Sequence, residues 1–102
     1  MIRVMLYAGA AGFEISGHAG ANTAGRDIVC AAVSSAAILT ANTLTGVMNL
    51  AAKERQSSGR MVFKLAESGR LTAAPILKGF ALHIRALQKQ YPEYISVVSQ
   101  RR

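Results

Sequence analysis

From Ile28 to Ala52 the chain carries no charged residue. That is longer than the roughly 20 residues needed to cross a bilayer core. The stretch is therefore either a membrane span or a helix that protein covers. Ser34, Ser35, Thr40, Asn42, Thr43, Thr45 and Asn49 are scattered along it, and alanine supplies much of the rest. So many polar groups among so few large aliphatics make lipid insertion weak. The expectation is a long central helix from about Ile28 to Lys53, loosened near Gly46. It would be buried by its own domain or by a second subunit, with no membrane contact.

The chain has 102 residues, room for one core, so residues 1–102 read as a single domain. Around the central helix the pattern alternates between strand and helix periods. Residues 2–7 read as a strand with Ile2, Val4 and Leu6 on one face. A Gly-bearing turn at 8–12 leads to a second strand, 13–18, with Phe13, Ile15 and Gly17 opposite Glu14, Ser16 and His18. Residues 54–60 are polar and read as a loop, and 61–67 as a third strand. A second helix is expected from about Thr72 to Gln90, with Ile76, Leu77, Phe80, Leu82, Ile84 and Leu87 inward and Pro75 in its first turn. Tyr91 and Pro92 stop it, and 94–99 reads as a last strand. The predicted fold class is α+β: a single two-layer domain in ββαβαβ order, its mixed or antiparallel sheet packed against two helices.

Charge divides the chain in two. The net charge is +7, yet Arg3 and Arg26 balance Glu14 and Asp27 in residues 1–52. The whole surplus lies beyond residue 52, where ten basic residues face Glu54, Glu67 and Glu93. Surplus Lys and Arg on a folded chain invite an RNA contact, whereas the scarcity of aromatics argues against base stacking. Any chemistry in the first half has to be explained without that surplus.

The first half holds the only cysteine, Cys30, and His18. A lone cysteine excludes an internal disulfide and suits a reducing, cytoplasmic setting. Asp27 reads as the N-cap of the long helix, which would make Cys30 its third residue, close to unpaired N–H groups that favour a thiolate. The glycine-bearing loop between His18 and Cys30 is long enough to bring imidazole to thiol. That pair is the minimum for nucleophilic acyl transfer, and helix N-terminal N–H groups could stabilise the oxyanion. The plainer alternative is a cysteine that packs as a small hydrophobe beside Val29, Ala31 and Ala32. Glu14 lies four strand residues from His18, roughly 13 Å along a strand, too far to orient its ring.

Two other chemistries find less support. Gly20 to Gly25 has the spacing of a phosphate loop, but Arg26 and Asp27 stand where Lys and Ser or Thr belong. His18, Cys30 and His83 include no closely spaced pair of the kind zinc sites use, so no metal is expected. His83 reads as a packed or surface residue of the second helix.

Gly17-His18-Ala19, a glycine-rich loop, and then Gly25-Arg26-Asp27-Ile28-Val29-Cys30-Ala31-Ala32-Val33-Ser34 closely resemble the bacterial ribosomal-processing cysteine protease family, Prp. Leu87 to Val97 resembles the family's passage from C-terminal helix to strand. The resemblance implies a cysteine endopeptidase without a cofactor, working as a cytoplasmic homodimer. Its substrate would be large-subunit ribosomal protein number twenty-seven, whose short N-terminal extension it removes after a hydrophobic, aromatic-bearing sequence. It also implies Cys30 as nucleophile, His18 as general base, Asp27 and Ser34 as supporting residues, and Gly17, Gly20 and Gly25 as hinges of the loop. The basic half could then touch ribosomal RNA weakly. The alternative reading is a small basic RNA- or ribosome-associated binding protein without catalysis.

Overall fold

The computed structural model describes residues 1–17 and 24–100, positions 24–27 as backbone only. Five strands form one sheet: β1 (Ile2–Leu6), β2 (Gly12–Ser16), β3 (Ala52–Ser57), β4 (Arg60–Leu65) and β5 (Ile95–Ser99). Their order across the sheet is β3-β4-β2-β1-β5. β1 and β5 are parallel, while the other neighbours are antiparallel. Helices α1 (Ala24–Asn42) and α2 (Arg70–Gln90) cover one face, giving the two-layer α+β arrangement that the alternation of periods implied.

The core follows from strand parity. Ile2, Val4, Phe13, Phe63, Leu65 and Ile95 point to the helical side and are buried against Val29, Val33 and Ala37 of α1 and Leu77, Phe80 and Ile84 of α2. Phe13 stacks between Phe80 at 4.4 Å and Phe63 at 5.3 Å, centroid to centroid. These spacings lie within the range in which aromatic pairs add to simple burial.

Along α1 and its continuation the threonines are satisfied locally, while Ser34, Ser35, Asn42 and Asn49 are exposed. The hydroxyls of Thr40, Thr43 and Thr45 donate to the carbonyls of Ala36, Leu39 and Ala41, at 2.8, 2.7 and 2.9 Å. Each is an i to i−4 bond that needs no partner from outside the helix. After Asn42 the helix widens into a π turn, Thr43–Val47, which includes Gly46. The helix thus loosens where the glycine suggested, but it ends at Val47, short of the expected Lys53, which belongs to β3. By length and composition, Ile28–Val47 could cross a membrane, but Val29, Val33, Ala37, Ala41 and Leu44 are buried inside this fold.

Four local readings are corrected. α1 starts at Ala24, so Asp27 is its fourth residue rather than its N-cap, and Cys30 is the seventh rather than the third. Gly25 accordingly lies in the helix, not in a loop. Early glycines and acids are tolerated there because the first turn has few backbone bonds to lose and favours negative charge. Second, the stretch read as a polar loop contains β3. Lys53, Glu54, Arg55 and Gln56 carry no apolar alternation, because β3 is an edge strand exposed on both faces; charged residues are usual there. Third, α2 begins at Arg70, so Pro75 is inside it. The carbonyl it deprives is that of Leu71, an exposed residue where water can replace the bond. Fourth, Leu82 is 74% exposed; it lies two residues from both Phe80 and Ile84, off the buried stripe.

Candidate active site

Cys30 sits on the side of α1 that turns toward the β3–β4 end of the sheet. It is partly exposed, and its inner side packs against the core cluster. Ser34 and Ile38 follow at intervals of four, so they share its helix face. All three line an open cleft of about 740 Å³, whose other walls among the described residues include Ile15 and Gly17 at the end of β2 and Gln56, Ser57, Arg60 and Met61 from the β3–β4 hairpin.

Gly17 fixes how β2 leaves the sheet. Its φ is +96°, and a Cβ there would run into the carbonyl oxygen of Met1, so only glycine fits without strain. Its N–H donates to the carbonyl of Gly59 at 2.9 Å. The chain therefore reaches position 18 from a clamped point between the start of β1 and the hairpin turn, beside the cleft that holds Cys30. His18 and Gly20, like the phosphate-loop spacing, fall wholly or partly outside the described residues. Asp27 stands one turn before Cys30 in helical register, as Ser34 stands one turn after it. His83 is exposed on α2, away from this cleft.

The polar side of the hairpin was not foreseen. Glu14 accepts a hydrogen bond from the Tyr7 hydroxyl at 2.9 Å and pairs with the Arg60 guanidinium at 3.1 Å. Burial pushes the Tyr7 hydroxyl above its ordinary value; the Glu14 hydrogen bond and charge push the same way, and Arg60 pulls weakly back. Arg60 is thereby held at the rim of the cleft. Only the strand register, unavailable before the fold, brings Tyr7, Glu14 and Arg60 together. Among the described residues no group of histidine, cysteine and carboxylate side chains is spaced to hold a metal.

The family model for cysteine protease Prp matches residues 1–96. The chain belongs to the cysteine protease Prp family, which makes it a thiol-dependent hydrolase of peptide bonds. No curated protein matches it by sequence. Among solved structures, the ribosomal processing protease Prp from S. aureus, with a covalently linked product peptide, superposes at TM-score 0.84 with 21% identity, over 98% of this chain and 100% of that one. The same protease with a substrate peptide gives TM-score 0.86 and 20% identity, with the same coverage. SMU.848 from Streptococcus mutans gives 0.74 and 26%, over 98% and 96% of the two chains. The two-layer fold with its five-stranded mixed sheet is thus shared across the whole chain.

Proposed function

We propose that this chain is a processing endopeptidase that removes the N-terminal extension of a large-subunit ribosomal protein, number twenty-seven, with a Cys30–His18 dyad. The observation that carries this reading is that Gly17, the residue before His18, and Cys30 line one cleft in a chain of cysteine protease family. The S. aureus structures, described as those of a ribosomal processing protease, support the substrate class.

In this scheme the imidazole of His18 takes the thiol proton as Cys30 Sγ attacks the scissile carbonyl carbon. The tetrahedral intermediate collapses, the C–N bond breaks, and the imidazolium returns its proton to the departing amine. Water then attacks the thioester with His18 as base, which releases the carboxyl product and restores the thiol. Because Cys30 lies beyond the first turn of α1, its pairing with His18, rather than the helix end, carries the activation. Ser34 lines the cleft within reach of a bound backbone, and Asp27 occupies the turn before the nucleophile. Ile15, Ile38 and Met61 give one apolar wall, suited to a hydrophobic residue preceding the cut. Gly17 and Gly20 serve as the hinges of the loop that carries His18, whereas Gly25 is a helix residue.

The same reading makes the enzyme a cytoplasmic homodimer. The dimer, not the location, is supported by the outer face of α1, where Ile28, Ile38 and Leu39 are exposed aliphatics beside Ala31 and Ser35, next to the cleft and without charge. The dyad is tested by iodoacetamide labelling followed by mass spectrometry. Cys30 should label more slowly in His18→Ala than in the wild type; equal rates at every pH would contradict the pairing.

A further inference from the structure

The helices cover one face of the sheet and leave the other open. Strand register places Arg3, Lys53, Arg55, Arg60 and Lys64 on that open face, since side chains of directly paired residues point the same way. Among the described strand residues, the only acid there is Glu14, and it is engaged by Arg60 and Tyr7. Glu54 reaches the same hollow from the other side of the edge strand. Lys53 stands directly opposite Lys64 in the β3–β4 ladder. Arg55, opposite Val62, is diagonal to both Lys64 and Arg60, about 7–8 Å away across the strands. Like charges placed directly across a ladder destabilise a sheet. Among the described residues, no carboxylate is paired with Lys53, Arg55 or Lys64. This arrangement works against folding and makes sense where an anion covers it.

We infer that the open face of β3 and β4 docks the phosphate backbone of RNA. A chain of phosphates fits this surface better than a single small anion does, because its cations are spread along two strands. Lys53 and Arg55 stand about 6.7 Å apart on β3, and Arg60 and Lys64 about 13 Å apart on β4, with Arg55, Arg60 and Lys64 lining an open hollow of about 1330 Å³. The exposed aliphatics of this face, Met5 and Val98, lie across the sheet from β3 and β4. Among the described residues Val62, partly buried between Arg60 and Lys64, is the one aliphatic side chain lining the hollow, too little to anchor the face in a lipid surface. A second copy of the chain would meet the patch with the same sign. Tyr7 is the only aromatic bordering the hollow, which makes the contact electrostatic and indifferent to base sequence. The choice of RNA over DNA rests on the ribosomal-substrate reading above; the surface itself does not. Gln56, Ser57 and Arg60 border both this hollow and the Cys30 cleft. RNA held here would therefore run beside the site where an RNA-associated protein is cut.

The test uses fluorescence anisotropy of a labelled large-subunit ribosomal RNA hairpin, titrated with the full chain at several salt concentrations. The triple variant Lys53→Gln, Arg55→Gln, Lys64→Gln is compared with Lys78→Gln, Arg85→Gln, Lys89→Gln on exposed α2, which makes the same change in charge. Arg60 and Arg70 are left intact because they bond to Glu14 and to the Leu65 carbonyl within the sheet and its flank; the control gives up only the exposed hydrogen bond from Arg85 to Ser99. The β3–β4 triple should lose about 10- to 100-fold in affinity at physiological salt, and its salt slope should fall by about 2, at roughly 0.7 per phosphate contact. Its melting temperature should hold or rise as the Lys53–Lys64 repulsion goes, which separates lost binding from lost folding. Equal losses in the two triples, or a wild type that does not bind the hairpin at physiological salt, would overturn the assignment. So would anionic vesicles or a DNA hairpin binding through these three residues as tightly as RNA. Cleavage of the ribosomal protein is scored separately. RNA binding without cleavage would leave this surface standing and remove the substrate reading; cleavage without RNA binding would do the reverse.

Discussion

The N–H of Gly17 donates to the carbonyl of Gly59 at 2.9 Å, which ties the exit of β2 to the turn between β3 and β4. Gly17 also has φ +96° and no room for a Cβ beside the Met1 carbonyl. The residue before the proposed base is thus held from two sides.

Gly17→Ala should destabilise the fold by about 1–3 kcal/mol, since it combines backbone strain with a steric conflict. Gly46→Ala serves as the comparison. Nothing lies within 4 Å of the added methyl, so that change should be neutral or stabilise by up to about 1 kcal/mol. Urea unfolding of the two variants checks the contrast, and similar losses would contradict the local geometry.

The Phe80–Phe13–Phe63 stack should dominate the core. Phe13→Ala should destabilise by about 3–5 kcal/mol, a large share of the roughly 5–15 kcal/mol that domains of this kind possess. Phe13→Leu, which keeps most of the volume, should lose less than half of that. Thermal unfolding of both variants measures the difference.

Tyr7 predicts an alkaline limb in stability. Its hydroxyl titrates above the ordinary value of about 10, so between the unfolded and folded values the folded chain holds more protons. Stability from this group is then fully present below about pH 10 and is lost as pH rises through the folded value. Tyr7→Phe should flatten that part of the curve above about pH 10, as read from urea midpoints. An unchanged slope would remove Tyr7 as its source.

Much of the fold was legible because burial imposes a period. Ile2 and Val4, Phe13 and Ile15, and Phe63 and Leu65 alternate, so β1, β2 and β4 could be read directly. Leu77, Phe80 and Ile84 mark α2 in the same way. β3 left no such trace: an edge strand with both faces in water has no reason to alternate, and Lys53 to Gln56 read as a loop. The start of α1 was misplaced because Asp27 is a good cap residue in isolation, whereas the helix already runs from Ala24. At the site, Cys30 and His18 could be nominated as the proposed dyad from residue types together with the resemblance to the Prp family. The cleft walls could not, because Ile15, Met61 and Arg60 meet Cys30 only through strand register.

The central claim is that Cys30 cleaves the extension of the ribosomal protein with His18 as its base. Incubating wild type, Cys30→Ser and His18→Ala with that protein, and reading the new N terminus by mass spectrometry, tests it directly. The wild type should release the extension after a hydrophobic residue, Cys30→Ser should release none, and His18→Ala should be slowed by about 10²–10⁴-fold. A folded wild type that leaves the protein intact, or a Cys30→Ser variant that still cuts it, would contradict the account.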